Sequence, residues 1–86
     1  MDDVLKLDWD PEKDALNQTK HGIGFVSASR VFIDPHRIVS DSTRPEFGEV
    51  RMKAIGMVDD RLIAVIYTDR GSIRRLISAR RARETQ

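Results

Sequence analysis

Cysteine is absent from this chain of 86 residues, so no disulfide, thiolate nucleophile or cysteine-based zinc site is open to it. Histidine is nearly absent: His21 and His36 are the only two. With Asp34 they are the one conceivable metal set, and neither glycine nor carboxylate geometry supports it against a simple loop after Pro35. No metal and no cofactor are expected. No apolar run approaches the ~20 residues that span a bilayer. The opening Met1-Asp2-Asp3 does not read as a signal peptide, so a cytoplasmic protein without a membrane partner is expected. Linkers, repeats and low-complexity segments are missing too, which leaves one domain over residues 1–86. A core this small supplies only a few kcal/mol of net stability, and a partner chain is a natural source of more. With 40 % hydrophobic and 34 % charged residues, the composition is globular rather than disordered.

Acid is missing from one stretch in particular. Arg70, Arg74, Arg75, Arg80, Arg81 and Arg83 fall within fourteen residues that contain no Asp or Glu, with Arg51 and Lys53 on the strand just upstream. The net charge of +1 hides this. Residues 1–50 carry six Lys/Arg against ten Asp/Glu and residues 51–86 carry nine against four, so the halves stand at −4 and +5. A guanidinium stays charged and its planar fork matches phosphate oxygens, so such a cluster on a sheet is the footprint of a polyanion site. A solvated charged face is the plainer reading. Solubility alone is a poor reason for so many arginines with no acid between them.

Val4–Trp9 alternates with period two, which puts Leu5, Leu7 and Trp9 on one face of a first strand. Asp10 is placed to cap a helix and Pro11 to begin it; Glu12 and Asp14 suit that end of the dipole. Gly22 supplies a left-handed stop just after the cations Lys20 and His21. Ala15, Leu16 and Thr19 form its only apolar stripe, so this helix belongs on the surface. Phe25, Ala28, Ser29 and Phe32 follow at i, i+3, i+4 and i+7, the spacing of a short second helix that Asp34-Pro35 ends. Ile38-Val39 reads as a short strand, and residues 41–48 are loop chemistry. Strands Val50–Val58, Leu62–Thr68 and Ser72–Ala79 come next, joined by tight turns at Asp59-Asp60-Arg61 and Asp69-Arg70-Gly71. The expected fold class is α+β, in the order β-α-α-β-β-β, with two helices packed on one antiparallel sheet.

Several segments, in this order and spacing, resemble one family. They are Trp9-Asp10-Pro11, Lys20-His21-Gly22, Phe25, Phe32, Asp34, Arg51-Met52-Lys53-Ala54-Ile55-Gly56, Val65-Ile66-Tyr67-Thr68, and Arg75-Leu76-Ile77-Ser78-Ala79-Arg80-Arg81-Ala82. Together they look like the BrnT toxins of type II toxin–antitoxin systems, over about Leu7 to Ala82. The resemblance implies a RelE-like fold, a ribonuclease activity that inhibits translation, and a cognate antitoxin (BrnA-like, ribbon-helix-helix) that neutralises it. It further implies a heterotetramer of two toxins and two antitoxins joined through the antitoxin, which alone contacts operator DNA. Many members continue into a charged helix after the Arg-Arg-Ala run, whereas this chain departs at Glu84-Thr85-Gln86.

Metal-independent cleavage of RNA has the 2′-hydroxyl attack the adjacent phosphate, with a base for that proton, an acid for the leaving oxygen and cations for the phosphoryl charge. Alternation puts Arg51 and Lys53 on one face of their strand, about 7 Å apart. In the last strand, strict alternation groups Arg75 with Ile73 and Ile77 and puts Arg74 with Arg80 on the opposite face, so that only a bulge would unite Arg75 and Arg80. The resemblance falls on Arg75 and Arg80 and not on Arg74. The base is harder to name, because arginine keeps its proton. His21 has the right residue chemistry but sits where a helix C-cap histidine would. Lys53 lies beside Arg51, where like charge favours the neutral amine. Glu49 and Tyr67 are further candidates, Glu49 being equally a partner for Arg51. The candidate catalytic set is therefore Lys53, Arg51, Arg75, Arg80 and His21, with Arg70, Arg81 and Trp9 as RNA-binding residues. Trp9 and Tyr67 could stack on bases, although such strand positions are more often core. Ser78 has no base beside it in sequence, and a hydrogen bond within the sheet is its expected role. A basic sheet that binds an acidic segment or nucleic acid without catalysis uses the same arginines.

Overall fold

The computed structural model describes residues 6–82; Val4, Leu5, Arg83 and Glu84-Thr85-Gln86 lie outside the described residues. Asp10 accepts a hydrogen bond from the Glu12 amide at 2.9 Å and Pro11 opens α1 (Pro11–His21), which Gly22 closes at φ 72°. Both ends are where the local capping chemistry puts them. The docking face is different from the expected stripe. Leu16 is 65 % exposed, and Asn17 is the buried residue of the helix.

The second helical segment is also modified. It runs as α2 (Phe25–Ala28) and then tightens into a 3-10 turn, Ser29–Ile33. With three residues per turn, the buried positions become Phe25, Ala28 and Val31, and Ser29 and Phe32 move to the margin.

Among the described residues five strands complete the fold: β1 (Lys6–Asp8), β2 (Ile38–Asp41), β3 (Met52–Val58), β4 (Arg61–Arg70) and β5 (Ile73–Arg81). Their spatial order is β1-β5-β4-β3-β2. The order β-α-α-β-β-β is one strand short of the strands read along the sequence, and the short strand at Ile38-Val39 extends to Asp41, paired beside β3. The sheet is mixed rather than antiparallel, since β1 enters beside the last strand in parallel, Lys6 opposite Ile73. Asp59 and Asp60 form the two-residue β3–β4 turn at φ 51° and 66°, the primed geometry that matches strand twist.

Phe25, Ala28 and Val31 pack on one face of the sheet, against Ala54, Val58, Ile63, Val65, Tyr67, Leu76 and Ala79. Two side chains finish the strand edges where β1 and β2 stop short. Asn17 donates to the Ala79 carbonyl at 2.8 Å and accepts from its N–H at 3.1 Å. Asp34 accepts the Met57 N–H at 2.8 Å and the His36 N–H at 2.9 Å. Among the described residues no helix is long and apolar enough to cross a membrane.

Candidate functional site

The face of the sheet away from the helices carries the cations. Antiparallel partners share a face, so Lys53 opposite Ile66 and Ile66 opposite Ser78 form one row across β3, β4 and β5. The register then slips between Ile66 and Tyr67: Tyr67 pairs with Leu76, and Ile77 is left over as a bulge. This overturns strict alternation in the last strand. With the extra residue, Arg75 (opposite Thr68) and Arg80 (opposite Ala64) both point to the open face, and Arg74 is left with the helices.

A pocket of about 330 Å³ opens there, lined by Ser42, Arg44, Phe47, Arg51, Lys53, Ile66, Ser78 and Arg80. Four of the eight are cations and none is an acid. Lys53, Arg80 and Arg44 have no carboxylate partner among the described residues. Arg51 stacks on Phe47, its guanidinium carbon 4.0 Å from the ring centroid. Its Nε is buried without a hydrogen-bond acceptor; Glu49 stands 3.5 Å away, close enough for charge attraction only. Glu49 is instead bonded by Arg70 at 2.8 Å. That bond holds the Glu49 carboxyl below the usual carboxylate range, against an opposing push from burial. A carboxylate so held is a weak base.

The remaining sequence candidates fall elsewhere. Arg75 lies on the open face, one row beyond Ser78, and is ion-paired with Asp8 of β1. Arg70 is on the same face, engaged with Glu49. Arg81 pairs with Ile63 and so projects to the helix face. Trp9 meets Phe25 edge-on at 6.0 Å, at the border of the core. His21 ends α1, in the helix layer, and does not line the pocket. Tyr67 is buried against Phe32, and burial pushes its phenol up, away from any use as a base at neutral pH. Arg74 lies over both rings, at 4.7 and 4.5 Å, and makes two bonds to Asp69 that raise its already high pKa. It is a structural arginine. Asp34 and His36 meet only through the His36 backbone N–H, as a turn and not a ligand set.

Phe47, Arg44 and Ser42 were hidden inside the polar loop of residues 41–48. The available signal was an aromatic between Pro45 and Gly48, in a segment with no apolar period to bury it.

The described residues form a small α+β fold with two helical segments on one face of the sheet and a basic pocket on the other. The chain belongs to the BrnT family, described as the ribonuclease toxin, BrnT, of type II toxin–antitoxin systems, whose family model matches residues 9–86. Membership brings an antitoxin partner with it, and the fold agrees with a RelE-like toxin. No curated protein matches the chain.

Proposed function

We propose that this chain is a metal-independent endoribonuclease whose open-face pocket holds the RNA phosphate backbone. Arg51, Lys53 and Arg80 neutralise the phosphoryl charge, Ser78 offers a hydroxyl across the sheet from Lys53, and Arg75 and then Arg70 extend the cationic track along the sheet. The observation that carries this reading is the slip at Ile77, which puts Arg80 on the face of Arg51 and Lys53, with no carboxylate in the lining among the described residues. Cations stand where a divalent ion would otherwise stabilise charge. Lys53 is the one amine of the lining, and since arginine keeps its proton we assign proton transfer to Lys53.

Cleavage of RNA by the free toxin would inhibit translation in the cytoplasm. A BrnA-like ribbon-helix-helix antitoxin would silence it by laying carboxylates over the same cations. Two toxins and two antitoxins would assemble through the antitoxin, which would also make the contact with operator DNA. The isolated chain would then be monomeric or weakly associated. One feature favours the alternative, a non-catalytic basic module: among the described residues no imidazole or carboxylate lines the pocket.

The two readings separate on expression in bacteria. Wild type is expected to arrest growth with loss of RNA, relieved by the antitoxin, and Arg51→Ala to lower cleavage by about 10²–10³. Undiminished cutting by folded Arg51→Ala would remove the assignment.

A further inference from the structure

Phe47 has a position that packing does not explain. It is 49 % exposed, outside the core cluster, on the 3-10 turn Pro45–Phe47 between β2 and β3. The turn is braced, not loose. Asp41 accepts the Thr43 N–H at 2.7 Å; the Thr43 hydroxyl accepts the Arg51 N–H at 2.9 Å and donates to the Arg51 carbonyl at 3.2 Å. Arg44 and Glu49 bridge across the base of the turn, and Gly48 takes the left-handed conformation, φ 67°, that closes it. The ring is therefore held at the pocket rim by backbone geometry. Arg51 covers one ring face, which leaves the opposite face and the edge for any further contact.

We propose that Phe47 is a nucleobase-stacking residue, specific in class for single-stranded RNA. The proposal rests on the RNA-binding reading of this pocket and adds a base subsite to its phosphate subsite. Single-stranded RNA is gripped by pairing a basic groove for the backbone with aromatic faces for unstacked bases. Arg51 touches both parts: its guanidinium lies over the ring, and its side chain lines the pocket. A phosphate taken by Arg51 brings the adjoining base to the free face of Phe47. Trp9 and Tyr67, the larger aromatics, are turned to the opposite side of the sheet and leave this role to Phe47.

The test is anisotropy of a labelled 2′-O-methyl oligoribonucleotide, which keeps bases and phosphates but cannot be cut, with single abasic sites walked along it. Phe47→Leu is expected to weaken binding about tenfold or more, and Phe47→Tyr and Phe47→Trp to restore it. One abasic position should cost wild type as much and cost Phe47→Leu nothing further. Wild-type affinity in Phe47→Leu, or a loss that no abasic position alters, overturns the stacking role. So does a Phe47→Leu chain that binds RNA normally and fails only with the antitoxin, which would make the ring a protein contact. Arg80→Ala is measured alongside: weakened binding there with none in Phe47→Leu ends the stacking role and leaves the phosphate reading standing. No binding by wild type ends both.

Discussion

Asn17 shows how much of this fold hangs on one polar side chain. Its amide satisfies both backbone groups of Ala79 and donates to the Ile23 carbonyl at 2.9 Å, fastening α1 to the bare edge of β5. Asp14, one turn earlier, accepts the Phe25 N–H at 2.8 Å and fixes the start of α2. Truncating Asn17 leaves buried donors and acceptors unpaired, at about 1–3 kcal/mol for each group that water cannot reach. Asn17→Ala is expected to lower unfolding free energy by about 3 kcal/mol in urea titration; a loss no larger than that of the exposed Leu16→Ala would contradict the role. The apolar pattern could not reveal this contact, because Ala15, Leu16 and Thr19 mark the wrong face and the true one is polar. The caps at Asp10 and Gly22 were legible because their partners lie within a few residues.

At the scale of elements, the exposed edge of β3 repeats the device with Asp34. The backbone N–H of Met57, then that of His36, hold the Asp34 carboxyl below its usual range. A Cβ on Gly56 would meet Asp34 Oδ2 and Val31 at 3.1 Å, so glycine is what allows this close approach. With its folded pKa depressed, Asp34 binds fewer protons folded than unfolded in the acid range. Its stabilisation is thus complete above the unfolded value and is lost as pH falls through the folded one, below about pH 4. Asp41, bonded by the Thr43 N–H, and Glu49, bonded by Arg70, shift the same way. Asp34→Asn is expected to flatten the acid limb of a melting-temperature profile; an unchanged acid slope would remove Asp34 from it. The bulge was open to sequence only as a condition. Ile77 is apolar and lies among residues of either face, so nothing in the run Ile73–Arg81 marks which residue drops out of register.

Over the whole molecule, the sheet separates two chemistries. One face is closed by the helices, with Arg74 sealed over Phe32 and Tyr67; the other is left open and cationic. The crowding of arginine was plain in the composition, but its division between faces was not, since ion pairs with Asp8, Asp69 and Glu49 form only on folding. Neighbours in sequence give the sharpest comparison. Arg80 and Arg81 carry the same charge on the same strand, and the slip at Ile77 sends the first to the pocket and the second to the helix face. The direct measurement is RNA cleavage by folded Arg80→Ala and Arg81→Ala beside wild type. Arg80→Ala is expected to lose about 10²–10³ in rate and Arg81→Ala to cut nearly as wild type. Equal losses in both, or none in Arg80→Ala, would contradict the claim that the open-face pocket is where RNA is cut.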